Sequence, residues 1–264
     1  MADMDTDVDL EVTTPAEAGG DPGGSIGGVA GGDSDVTPDF PDEWTATGAQ
    51  KETMAGLIMI GLVVVAALFF RWRPGPTFLD RWGFSLVHPA LGNVWWHRIT
   101  YVRTMSFLVA SSILSALVVY TRDRWRALAL LIAPISATML TEYVLKPLIA
   151  RRYAQVLSFP SGTTTLVGST ATAWVIAVPR WIRLPVVIIA AFFVGLECMA
   201  VVALEWHFPT DAIGGIVFGA GMVLLFDGLI HLAVDRVRAD REASGTTPNA
   251  PVATPDAPAA TPVA

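Results

Sequence analysis

The sequence predicts an all-α fold, a bundle of six membrane-spanning helices, on three observations. Hydrophobic residues fill 53% of the 264 positions and charged residues only 16%, and the mean hydropathy of +0.52 lies well above that of soluble domains. The apolar residues gather in separate runs near the length a bilayer demands, about 20 residues. Trp and Arg recur at the ends of those runs, where interfacial side chains settle.

The chain opens with residues 1–50, which hold twelve Asp and Glu and no Lys or Arg. Few large apolar side chains occur there, so burial cannot offset the entropy of ordering, and the segment reads as a disordered acidic tail. Subtracting its charge of −12 from the total of −7 leaves +5 on the rest, so the low pI belongs to the tail and the membrane part is mildly basic. The membrane domain is expected over 51–240. Residues 241–264, rich in Ala, Pro and Thr, read as a second disordered tail. A secretory leader would need a basic start and an early apolar core. The first apolar run begins only at Met54, so that run is expected to be retained as a span. Cys198 is alone, which excludes an intrachain disulfide.

Apolar runs follow in order at 54–70, 105–120, 127–145, 164–178, 184–204 and 212–234. Those shorter than a full crossing are completed by flanking Trp72, Trp125 and Trp181 together with neighbouring arginines. The stretch 71–103, rich in Trp, Pro and Arg, is expected to lie along the interface. An even number of spans puts both tails on one side. The turn before the fourth span and the turn before the sixth then share the opposite side. Lys51, Arg122, Arg124, Arg126, Arg180, Arg183, Arg236, Arg238 and Arg241 fall on the tail side, nine against eight. Setting aside Lys146, Arg151 and Arg152 as site candidates makes it nine against five. Cytoplasmic tails are expected, with the opposite mouth at the outer face of a plasma membrane.

Three polar clusters sit at that mouth. His207 precedes Phe208, Pro209, Thr210 and Asp211. Pro209 suits the first position of a helix, which puts His207 just ahead of the last span and Asp211 in its first turn. An acid there complements the helix dipole, and it lies close enough to hold an imidazole tautomer. Pro160, Ser161, Gly162 and Thr163 immediately precede the fourth span. Ser161 can cap that helix, while the backbone N–H groups at its start form an anion site. Lys146 ends the third span, where its charge must reach water or a partner. That partner is either a phosphate or Glu142, four residues earlier on the same helix face. Arg151 and Arg152 follow Lys146 by five and six residues. Glu197 and Glu205 flank the end of the fifth span, where carboxylates are functional candidates by default, and Glu205 can pair with either arginine.

In this order the clusters resemble the motifs of the type 2 phosphatidic acid phosphatase family: Lys-x6-Arg-Pro, Pro-Ser-Gly-His and Ser-Arg-x5-His-x3-Asp. The resemblance covers about residues 100–235. It implies a six-span bundle that removes phosphate from lipid phosphates or isoprenoid pyrophosphates through a phosphohistidine. It also implies His207 as nucleophile, Asp211 as its relay partner, and Lys146, Arg151, Arg152, Ser161, Gly162 and Thr163 around the phosphate. Three positions depart from the family: Tyr153 stands seventh after Lys146 where it has arginine, Thr163 replaces its histidine acid and Val201 its second arginine.

A general acid is worth about 10²- to 10⁴-fold and an arginine on a transferring phosphoryl group about 10³- to 10⁵-fold. These factors need not multiply, but losing both predicts weakened chemistry. A phosphate leaving group needs little protonation, so surviving activity should favour lipid pyrophosphates over monophosphates. The alternative is an inactive relative that binds lipid phosphate, or a partner subunit for another membrane protein. A transporter would need polar groups deep in several spans, and Glu197 and Asp227 are too few. No metal or other cofactor is expected, because one mouth histidine and one nearby carboxylate are too few ligands, and no nucleic-acid partner is expected.

Overall fold

The computed structural model describes residues 46–87, 93–100 and 104–244. The acidic segment and the Ala/Pro/Thr-rich segment lie largely outside them. Helix α1 (Ala46–Trp72) leads into two short helices, α2 (Phe78–Leu86) and α3 (Asn93–Ile99). Then come α4 (Met105–Tyr120), α5 (Arg124–Leu140), a π-helical turn (Thr141–Leu145) and the single turn α6 (Lys146–Ile149). A minimal hairpin, β1 (Arg152–Tyr153) with β2 (Val156–Leu157), precedes α7 (Gly162–Ala177), α8 (Arg180–Ala203) and α9 (Pro209–Ala243). The runs 54–70, 105–120 and 212–234 fall within α1, α4 and α9, the runs 164–178 and 184–204 overrun α7 and α8 by one residue, and the run 127–145 continues from α5 through the π-helical turn. Four stretches are long and apolar enough to cross a bilayer, namely Gly48–Trp72, Arg124–Ile149, Arg180–Ala203 and Pro209–Ala243; α4 is a shorter apolar helix and α7 has 16 residues. The chain is a membrane protein.

The C-terminal helix α9 is the axis, packed against α1, α7 and α5. Glycines set how close the helices come. A Cβ on Gly56 would stand 2.6 Å from the Leu225 nitrogen, and one on Gly168 would stand 2.9 Å from the Ile216 Cα, so α1 and α7 both meet α9 backbone to backbone. Around these seams, Ala116, Leu130, Ala133, Ala173 and Val223 fill one core cluster, and Val63, Phe70, Phe159, Phe218 and Met222 fill another. Lipid-facing positions such as Leu62, Val65, Leu117 and Phe192 remain exposed, as a bilayer solvent allows.

The segment between α5 and α7 positions the site. Pro134 lies inside α5, and the carbonyl of Pro134 accepts a hydrogen bond from the Thr138 hydroxyl at 3.0 Å. The π-helical turn shifts the helix face by one residue, as such bulges do beside functional sites. Ala150 closes α6 in the left-handed region (φ 57°), a conformation costly for alanine, and this reversal sends Arg151 inward. The β1–β2 hairpin then turns on Ala154 and Gln155, both with positive φ (44° and 73°), without the Asn-Gly signature such turns favour. For that reason this small departure from an all-helical chain is invisible in the sequence.

Candidate functional site

The loop entering α7 and the turn entering α9 meet. The Ser161 N–H donates to the Asp211 carbonyl at 3.0 Å, and the Thr164 hydroxyl donates to the Ala212 carbonyl at 2.9 Å. Nδ1 of His207 lies 3.0 Å from the Ser158 carbonyl. A carbonyl oxygen only accepts, so the proton of this bond sits on Nδ1. His207 is buried, with 7% of its surface exposed.

Ser161 caps α7, its hydroxyl accepting from the Thr164 N–H at 3.5 Å. Gly162 opens the helix. A side chain at that position would collide with the Glu142 carboxylate, so Glu142 rests against the first residue of α7, where an anion is favoured. Lys146 donates to both Glu142 oxygens, at 2.7 and 2.9 Å. The i,i+4 partner anticipated from the spacing is thus in place. The carboxylate it holds sits where the sequence places phosphate. Thr163 is half-buried beside them, and Arg152 is exposed, with Nη1 donating to the Gln155 carbonyl at 3.2 Å.

Arg151 has the opposite character. It is 1% exposed, with its guanidinium between the rings of Phe70 and Phe208, 3.8 and 4.4 Å from their centroids. Its Nε donates to the Pro74 carbonyl (3.3 Å). Nη1 donates to the Thr210 hydroxyl (2.8 Å) and the Asp211 carboxylate, and Nη2 to Asp80 (2.8 Å) and the Gly75 carbonyl (3.3 Å). A guanidinium has five N–H donors, and all five are spent inside the protein. The sequence assignment of Arg151 to phosphate therefore meets a geometry in which it ties the α1–α2 link to the start of α9.

Asp80, which sequence reasoning missed, is the counterpart. It accepts from the Thr77 N–H (2.8 Å) and hydroxyl (2.9 Å), and from the Thr210 N–H (3.0 Å) and hydroxyl (2.7 Å), as well as from Arg151. Burial works against its ionisation, but the bonds from Thr210, Thr77 and Arg151 outweigh it and hold Asp80 below the usual carboxylate range. The one signal available was Thr77-x-x-Asp80, a capping-box pattern at the start of α2. Asp211 accepts from the Phe208 N–H (3.1 Å) in addition to Arg151, which fixes the turn carrying His207.

Val201 is fully buried, packed with Val202 and Ala212 and against Phe84, Cys198 and Trp206. Glu205, at φ 56°, is exposed, while Glu197 is 1% exposed within α8. A cavity of about 700 Å³ opens beside the His207 turn, lined by His97, Tyr153, Glu205 and Trp206 among others. Burial and the Glu205 charge push the Tyr153 hydroxyl above its ordinary pKa. Among the described residues no group of three or more His, Cys, Asp or Glu is placed to hold a metal ion.

No family model and no curated protein matches the chain. Its architecture matches that of a transmembrane PAP2-type phosphatidylglycerolphosphate phosphatase from Bacillus subtilis. The TM-score is 0.51 at 21% sequence identity, over 69% of this chain and 96% of that one. The chain shares the fold of that protein. Within this fold the loop entering α7 and the turn entering α9 meet through the Ser161–Asp211 and His207–Ser158 bonds.

Proposed function

We propose that this protein is a six-span lipid-phosphate phosphatase of weakened chemistry, acting on lipid or isoprenoid pyrophosphates at the outer face of the plasma membrane with both tails cytoplasmic. The observation that supports it best is the bond between His207 Nδ1 and the Ser158 carbonyl, which holds the imidazole of the α9 entrance against the loop that enters α7. In this reading Nε2 attacks the terminal phosphorus, the bridging oxygen departs with the rest of the lipid, and water then hydrolyses the phosphohistidine. Asp211 stabilises the imidazolium that develops. The amides at Gly162 and Thr163, with Lys146 and Arg152, hold the equatorial oxygens. Arg151 keeps the Asp211 turn rigid. Phosphate entry requires the Glu142 carboxylate to leave the α7 N-terminus and release Lys146.

A half-buried threonine cannot protonate a lipid alkoxide, whereas a phosphate leaves without that help. Purified protein is expected to release phosphate from a lipid pyrophosphate at least tenfold faster than from the matched monophosphate, with His207→Ala abolishing both. Faster monophosphate hydrolysis overturns the substrate assignment. The second reading, an inactive lipid-phosphate binder or partner subunit, draws on two observations: Val201 fills the family arginine position with apolar packing, and Glu142 occupies the mouth. No phosphate release from native protein that still binds the lipid selects it.

A further inference from the structure

The mouth is not the only polar site at a membrane face. His231 follows Pro209 by 22 residues on α9, a rise of about 33 Å, which is close to the thickness of a bilayer core. At that far end a cavity of about 350 Å³ lies between the α4–α5 corner and the end of α9. Arg122, Arg124, Arg238 and His231 line it, with Asp123 and Asp235. Asp123 is spent internally: Oδ1 caps α5 through the Trp125 and Arg126 N–H groups at 2.9 and 3.0 Å, and Oδ2 holds His231 Nε2 at 2.7 Å. Among the described residues that line it, three arginines stand against two acids, Asp235 at 3.8 Å from Arg238 and the His231-bound Asp123, so the lining is net cationic.

A second hollow of about 380 Å³ begins at the same corner and runs down the lipid-facing surface between α4 and α5. Its walls include Ile113, Leu117, Leu128 and Leu131, and it shares Tyr120, Arg124 and Trp125 with the cationic cavity. Headgroup-sized cationic space is thus continuous with a chain-shaped apolar groove, joined by two aromatic residues of the kind that settle at the headgroup level. We infer that this corner binds an anionic glycerophospholipid from the leaflet opposite the mouth, its phosphodiester against Arg122, Arg124 and Arg238 and an acyl chain along Leu117 and Leu128. The groove decides for a lipid over a free phosphate, which has nothing to place there. The inference does not depend on the phosphatase reading.

The test uses full-length protein in nanodiscs of phosphatidylcholine, titrated with phosphatidylglycerol of the same acyl chains and read by native mass spectrometry. Phosphatidylglycerol lacks a terminal phosphate ester, so His207→Ala should leave its binding unchanged. Each surface arginine is worth about fivefold toward an anionic lipid, so Arg122→Gln with Arg124→Gln and Arg238→Gln should weaken binding on the order of 100-fold. Leu128→Trp, which fills the groove, should weaken it about threefold or more. Should the triple variant fail to fold, Arg238→Gln, whose side chain is 67% exposed, should alone cost about fivefold. Equal binding of phosphatidylglycerol and phosphatidylcholine, or binding untouched by the arginine variants, overturns the site. Soluble glycerophosphoglycerol binding as tightly as the lipid overturns the groove's part in it.

Discussion

Without the Arg151 guanidinium, Asp80 and Asp211 would be two buried carboxylates with no cation between them. Such loss of one partner from a buried ion pair costs on the order of 3–5 kcal/mol, so Arg151→Ala should lower the unfolding midpoint in detergent by about 10 °C or more. Arg151→Lys should recover little of this, because one ammonium cannot fill five acceptor positions. Glu142 poses the reverse case. Its side chain is 39% exposed and its pair with Lys146 is only partly shielded, so breaking it costs little stability. Glu142→Gln removes an anion from the start of α7 and frees Lys146, and affinity for inorganic phosphate, measured by calorimetry, should rise by up to about fivefold. An unchanged affinity would mean that phosphate does not bind where Glu142 sits.

At the scale of elements, Asp123 does two jobs at the α4–α5 corner: it caps α5 and, through His231, fastens that corner to α9. Burial opposes its charge, but the bonds from His231 and the Arg126 N–H prevail and bring its pKa down to about 2. The folded value lies below that of the unfolded chain, so the contribution to stability is complete above about pH 4 and fades as pH falls toward 2. Asp123→Asn keeps an acceptor for the cap and loses the charge beside His231. It should lower the midpoint at neutral pH and flatten that acid limb, as followed by circular dichroism across pH 2–6.

The helices themselves were legible in the sequence, because runs such as 184–204 and 212–234 have no other stable way to bury so much apolar surface. The order of the apolar runs led to the expectation that the α7 and α9 entrances meet, and the Ser161–Asp211 and Thr164–Ala212 bonds join them. Three features were not legible. The inward turn at Ala150 depends on a left-handed alanine that no propensity signals. The Arg151–Asp80 pair joins residues 71 positions apart, one of them in a segment assigned to the interface. The Asp123–His231 link joins two residues 108 positions apart, which neither periodicity nor motif spacing can pair.

For the whole molecule, two kinds of polar interior must be kept apart in any attempt to restore chemistry. One is structural and closed: Arg151, Asp80, Thr210 and Asp211 satisfy one another and leave the site only a rigid turn. The other joins the end of the α5–α6 segment to two helix entrances: Lys146 bonds Glu142, Glu142 rests against Gly162, and His207 bonds the Ser158 carbonyl. Val201 and Thr163, where the resemblance expects an arginine and a histidine, differ in their surroundings. Val201 is sealed among Val202, Ala212 and Trp206, so Val201→Arg would force a charge into apolar packing, and loss of activity in that variant would report misfolding. Thr163 is half-buried in the first turn of α7, and on the proposed reading an imidazole there would protonate the departing oxygen. Thr163→His alone is therefore the discriminating change. If the scaffold has kept its nucleophile and lost only its acid, lipid monophosphate hydrolysis should rise about 10²-fold or more while pyrophosphate hydrolysis changes little, and both should vanish on adding His207→Ala. An equal rise for the two substrates would show that the acid was never the missing part, and the leaving-group argument would fail with it.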